Sequence, residues 1–162
     1  MNPAGPTLDL SEVFKAHQRD LLGLTLRITG NLALAEDALQ ETFLAAHAAA
    51  GAFRAEARPS TWLHRIATRE ALRARARAKR HADAARAAPP AAEAAPAWLH
   101  ETRSLLAALD QLPEDQRLAL VLLSARSIPA DEIATLLNVP VNTVYTRAFR
   151  ARVRLRDILN AD

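Results

Sequence analysis

The stretch that most constrains this chain lies near its end. There Pro129-Ala130-Asp131-Glu132-Ile133-Ala134-Thr135-Leu136-Leu137 passes through Asn138-Val139-Pro140 into Val141-Asn142-Thr143-Val144-Tyr145-Thr146-Arg147. The first segment predicts a short helix with Ile133, Ala134 and Leu137 on one face. Asn138 tolerates the left-handed backbone that a tight turn requires. A second helix then opens with Asn142, Thr143, Tyr145, Thr146 and Arg147 expected to face outward. This is the pattern of a helix-turn-helix, whose second helix meets base edges in a major groove through its N-terminal residues. Double-stranded DNA is therefore the expected partner.

Composition narrows the scaffold. Ala, Leu, Arg and Glu abound, glycine is scarce, and no alternating run of β-branched residues stands out, so the chain reads as all-α. Half of the 162 residues are apolar, but many are alanine and only 4% of the chain is aromatic, which favours several small helical cores over one large one. Lys15 and Lys79 are the only lysines among 21 basic residues, so the basic character rests on arginine, the side chain suited to phosphate and base recognition. The chain has no cysteine, which excludes disulfides, thiolate metal sites and a cysteine nucleophile. No apolar run reaches membrane-spanning length and the N-terminus lacks a signal-peptide pattern, so a cytoplasmic protein without membrane insertion is expected.

The periodicity divides the chain into two modules. Leu10, Phe14, His17, Leu21, Leu24 and Ile28 form one apolar stripe, and Gly30 and Asn31 suit the end of that helix and the cap of the next. A second helix over roughly 33–50 directs Ala35, Leu39, Thr42, Phe43 and Ala46 inward and Glu36, Asp37, Gln40 and Glu41 outward. Residues 52–60 read as a loop, because Pro59 disfavours helix before it. A third helix from about Thr61 to Arg80 buries Trp62, Leu63 and Ile66 and steps Arg65, Arg69, Arg73 and Arg77 along another side. The expected organisation is a module over 8–80, an Ala/Pro-rich linker over 81–97 and a module over 98–160 that holds the helix-turn-helix. Extended at ~3.3 Å per residue, that linker spans about 56 Å, so the modules are expected to act separately and not to hold each other.

Neither charge cluster identifies a function alone. Arg73-Ala74-Arg75-Ala76-Arg77-Ala78-Lys79-Arg80 suits a solvated helix end as well as a phosphate-binding patch, since strict alternation spreads the charge around the helix. The acidic run from Glu36 to Glu41 is most simply an exposed face. The five histidines lack metal-ligand spacing, and no phosphate loop or nucleophile elbow is present, so neither an enzyme nor a cofactor is expected.

Together, however, these segments resemble a known family. Ala35-Glu36-Asp37-Ala38-Leu39-Gln40-Glu41-Thr42-Phe43-Leu44, Phe53-Arg54 and Ser60-Thr61-Trp62-Leu63-His64-Arg65-Ile66-Ala67 resemble region 2 of the extracytoplasmic-function sigma factors. Leu109-Asp110-Gln111-Leu112-Pro113-Glu114-Asp115-Gln116-Arg117 and the helix-turn-helix resemble region 4 of the same family. The resemblance implies a two-module promoter-specificity subunit of bacterial RNA polymerase that also helps open the −10 region. It implies that Asp37, Gln40 and Glu41 dock on the polymerase β′ coiled coil, with Leu39 and Phe43 holding the helix in its bundle, and that β is also a partner. Arg54, Arg58, Arg65, Arg69 and Arg73 would meet the −10 strand, where an unstacked base is trapped and its phosphates held. Asn142, Thr143, Tyr145, Thr146, Arg147, Arg150 and Arg154 would read or clamp the −35 duplex. An anti-sigma factor is the implied regulator.

The chain departs from the family pattern at His47, Arg69, Arg73 and Tyr145, and Pro140 stands where a capping serine is common. The changes at Arg69 and Arg73 bear on which −10 sequence is read, not on phosphate binding. The rival reading is a mimic that sequesters an anti-sigma factor without touching DNA. An ordinary helix-turn-helix repressor would leave the acidic helix and the first module unexplained. Retention of Arg147, Arg150, Arg154 and the helix-three arginines favours the DNA-binding reading.

Overall fold

A computed structural model describes residues 9–54, 56–82 and 97–161. Seven α-helices make up the described residues, with no strand among them: α1 (Leu10–Thr29), α2 (Leu32–Ala49), α3 (Pro59–Ala82), α4 (Ala97–Asp110), α5 (Glu114–Ala125), α6 (Ala130–Leu137) and α7 (Val141–Ala161). The first three pack against one another as a bundle. The other four form the second module, with α5 and α6 packed on α7.

Local chemistry sets the boundaries. Gly30 terminates α1 in the left-handed region at φ 71°, and its N–H donates to the carbonyl of Leu26. Asn31 then caps α2 by accepting the Leu34 N–H at 3.0 Å. The expected stripe of α1 is buried at Leu10, Leu21, Leu24 and Ile28 and half-buried at Phe14 and His17. Phe14 meets Phe43 of α2 edge-on with ring centroids 5.0 Å apart, so Phe43 does hold its helix in the bundle. After a 3₁₀ turn at Ala50–Ala52, α3 starts at Pro59, two residues earlier than its sequence suggests. The reason is that proline is pre-organised for the first helical position, where its missing N–H costs nothing.

Two expectations about the linker and the cores need correcting. Helix α3 extends through Ala82 and α4 begins at Ala97, so both ends of the supposed 81–97 linker are helical; an extended tether over 83–96 falls outside the described residues. The modules also do not stand apart. A single apolar cluster joins Leu21, Leu24, Ile28 and Leu63 of the first to Leu109, Leu112, Leu118 and Leu122 of the second. The physical cause lies in α5, where Leu118, Ala119, Leu120, Val121 and Leu122 are all buried. A helix apolar around its circumference must be covered on more than one side, and here α7 covers one side of α5 and α1 another.

Candidate nucleic-acid interface

Three exposed surfaces contain the residues singled out by sequence. On α2, burial of Ala35, Ala38, Leu39, Thr42 and Ala46 turns Glu36, Asp37, Gln40 and Glu41 to solvent. Among the described residues none of these acidic side chains enters an ion pair, and Leu44, 54% exposed, continues the face. His47 stacks on Phe43 at 6.3 Å between centroids.

The second surface is built by α3 and the turn before it. Leu63, Ala67, Thr68, Ala71 and Ala74 are buried, which directs Arg69, Arg73 and Arg77 outward and leaves Arg65 half-buried. Phe53 packs on Trp62 at 5.1 Å between centroids, and the Trp62 N–H donates to the Arg58 carbonyl, so the segment bearing exposed Arg54 and Arg58 is fastened to the start of α3. Arg73 pairs with Glu70 at 2.7 Å on its own helix.

The third surface is α7. Asn138 adopts the left-handed turn conformation at φ 53°, as its position demands, and the Val139 N–H returns to the Ala134 carbonyl at 3.0 Å. Pro140 caps α7 through its backbone carbonyl, which accepts from Thr143 at 2.9 Å. With Val144, Ala148 and Ala151 buried, Asn142, Tyr145, Thr146, Arg150 and Arg154 are exposed. Thr143 and Arg147 fall on the same side of α7 as Arg150 and Arg154, at three- and four-residue spacing, but are half-buried. Arg147 turns toward α5, where its Nε lies 3.2 Å from Asp115 Oδ2 and its side chain is 29% exposed. The fully outward side chain expected of Arg147 is therefore corrected: three residues after Val144 and four before Ala151, it stands between the open side of α7 and the packed seam, within reach of Asp115. Phe149, 66% exposed beside Arg150, joins the open face and was not anticipated.

The structure also shows what those surfaces touch across the module boundary. Glu132 of α6 lies between two α3 arginines, 2.9 Å from Arg69 Nη2 and 3.8 Å from Arg65 Nε. Arg117 of α5, 5% exposed, donates from Nη2 to the Ile28 carbonyl at 3.2 Å and from Nε to the Arg27 carbonyl at 3.3 Å, and pairs with Asp110. Arg75 of α3 donates to the same Ile28 carbonyl at 3.0 Å and pairs with Glu114 at 3.0 Å. Two cations thus cap the negative end of α1. Burial presses Arg117 below the usual arginine value and the neighbouring Arg75 charge adds to this, while Asp110 opposes it. Glu114 is held below the usual carboxylate value chiefly by its hydrogen bond from Arg75. Sequence reading missed Asp115, Arg117 and Glu132 in these roles; the uninterrupted apolar run after Arg117 was the one available sign of a doubly covered helix.

No helix among the described residues is long and apolar enough to cross a membrane. The family Sigma-70 region 2 matches residues 13–81 and Sigma-70, region 4 matches residues 102–155. The chain is 34% identical over 161 residues to the ECF RNA polymerase sigma factor SigM of Mycobacterium tuberculosis, covering 96% of this chain and 80% of that protein. It is likewise 34% identical over 153 residues to the RNA polymerase sigma factor CarQ of Myxococcus xanthus, covering 91% and 87%. Among solved structures, the sigma factor RpoE of Bartonella quintana in complex with the anti-sigma factor NepR superposes with a TM-score of 0.68 at 25% identity, covering 95% of this chain and 98% of that one. Both family regions, in order along one all-helical chain, make this protein a member of the extracytoplasmic-function sigma factors of RNA polymerase.

Proposed function

We propose that this sigma factor lends core RNA polymerase its promoter specificity through three separate surfaces. The α2 face of Asp37, Gln40 and Glu41 docks on the β′ subunit, with β a further contact of the assembled enzyme. Arg54, Arg58, Arg65, Arg69 and Arg73 hold the unstacked −10 strand by its phosphates. Asn142, Thr143, Tyr145, Thr146 and Arg150 read the −35 duplex, Arg154 holds phosphate, and Arg147, paired with Asp115 of α5, steadies the helix beside them. The protein performs no covalent chemistry itself and works in the cytoplasm, where polymerase is.

The observation that carries this reading is the coexistence of an exposed acidic helix face, without ion-pair partners among the described residues, with an exposed, arginine-bearing recognition helix on the same chain. A decoy that only captured an anti-sigma factor would have no use for exposed Arg150 and Arg154. An anti-sigma factor is nonetheless a partner in this reading, since the Bartonella quintana relative was solved with one. We assign it the cleft of about 530 Å³ between α1, α4 and α5, whose walls include Leu24, Trp98, Leu105 and Leu109. Promoter binding by holoenzyme tests the separation of roles. Arg150→Ala should assemble with core polymerase and fail to select the −35 sequence, whereas R65A/R69A should select it and fail to hold the −10 strand. Identical losses in both variants would refute the assignment.

A further inference from the structure

We propose that the free protein latches itself closed through Glu132, whose carboxylate occupies Arg65 and Arg69 in place of strand phosphates. The inference rests on the reading of those two arginines as −10 contacts. Glu132 belongs to the other module, 63 residues along the chain from Arg69. It meets Arg69 at 2.9 Å with one oxygen and faces Arg65 Nε at 3.8 Å with the other. That Arg65 nitrogen is buried and has no hydrogen-bond partner among the described residues, so the closed state leaves it underserved. A carboxylate offers a guanidinium the same paired oxygens and the same single negative charge as a backbone phosphodiester. A DNA strand therefore competes directly with Glu132.

Two features make this contact a latch and not a permanent joint. The Arg69–Glu132 pair is partly open to solvent, with side-chain exposures of 49% and 26%, so it shifts the closed–open balance by only about fivefold at most. The acidic face of α2 stays exposed while the latch is shut, which leaves polymerase docking available before opening. Other ties cross the boundary, including the shared apolar cluster, Arg117 on the end of α1 and Arg19 stacked 5.6 Å over Trp98, but none engages a −10 arginine, so Glu132 biases an opening that those ties also oppose. Closing thus withholds two strand-binding cations from stray nucleic acid until polymerase separates the modules.

The test uses the full chain, whose lack of cysteine permits dyes at A48C and N160C, both exposed sites in different modules. Energy transfer between the dyes should show the open population rising roughly threefold to tenfold in Glu132→Gln, and further in E132K, which repels both arginines. Added salt should open the wild type more than E132Q, because exposed pairs are screened. The free E132Q protein should bind a −10 single-stranded oligonucleotide more tightly by the same factor as it opens. Circular dichroism confirms that helicity is kept. Unchanged dye distances in both E132Q and E132K would overturn the latch. If R65A/R69A/E132Q instead bound the oligonucleotide as tightly as E132Q, the −10 reading would fall while the dye distances still decided the latch.

Discussion

Gly30 and Arg117 should be energetically coupled although 87 positions separate them in sequence. Gly30 sits at φ 71°, where alanine pays ~1–2 kcal/mol for the left-handed conformation. A Cβ added there would stand 2.7 Å from Arg117 Nη2 and 3.2 Å from both Arg117 Nη1 and Asp110 Oδ1. The guanidinium must then move from the carbonyls of Arg27 and Ile28, each such charge-assisted bond being worth ~1.5–3 kcal/mol. Arg75 still serves Ile28, which limits the loss. Gly30→Ala should therefore cost about 3 kcal/mol in all, and Arg117→Met about 2–4 kcal/mol. In the R117M background the guanidinium is gone and the exposed Asp110 side chain, released from its pair, can turn aside, so G30A should cost only the ~1–2 kcal/mol of backbone strain. The predicted coupling is ~1–2 kcal/mol, within the range seen for side chains in contact. Urea unfolding followed by helical circular dichroism measures all four corners. G23A is the control: its Cβ meets only Arg27 Nη2 at an ordinary 3.9 Å, and replacing a mid-helix glycine should stabilise by ~0.5–1 kcal/mol. Additivity of G30A and R117M within ~0.5 kcal/mol would refute the idea that Gly30 makes room for the Arg117 clasp.

Other consequences can be measured independently. Charge reversal at Asp37 and Glu41 should weaken core-polymerase binding while circular dichroism stays unchanged, and wild-type affinity in the double variant would remove the proposed dock. Arg150→Ala should cost ~1–3 kcal/mol and relax preference at one base in a promoter-library selection, whereas Arg154→Ala should mainly lower the salt dependence. If R154A altered base preference and R150A did not, the two roles would have to be exchanged. Because Glu114 titrates below its ordinary value of 4.5, its contribution is fully present above that pH and is lost as pH falls through the lowered value. Acid titration of unfolding should therefore destabilise the wild type more steeply than E114Q; parallel curves would show that the Arg75–Glu114 contact adds nothing.

What the sequence conveyed and what it concealed divide along physical lines. The helices, the Gly30–Asn31 junction and the left-handed turn at Asn138 follow from periodicity and from residues with narrow backbone preferences. The buried and exposed sides of α2 were also legible, because a helix that packs along one side carries a one-sided pattern. Helix α5 carries no such pattern, and its all-round burial, hence the union of the modules, depends on a long-range contact that local rules do not encode. The fully outward orientation expected of Arg147 failed for a related reason: its position borders the packed seam, and only the location of Asp115 shows which way the side chain turns. Glu132 looked like an ordinary acidic residue in the first turn of α6, and its arginine partners come from another module.

Run-off transcription with purified core polymerase on a randomised promoter pool tests most directly whether this protein confers promoter choice. Added sigma factor should yield transcripts from templates that share two sequence blocks at one fixed spacing. Arg150→Ala should degrade the upstream block alone, and R65A/R69A should suppress strand opening at the downstream one. Transcripts that did not depend on the added protein, or selected templates with no upstream block, would contradict promoter choice through these two surfaces.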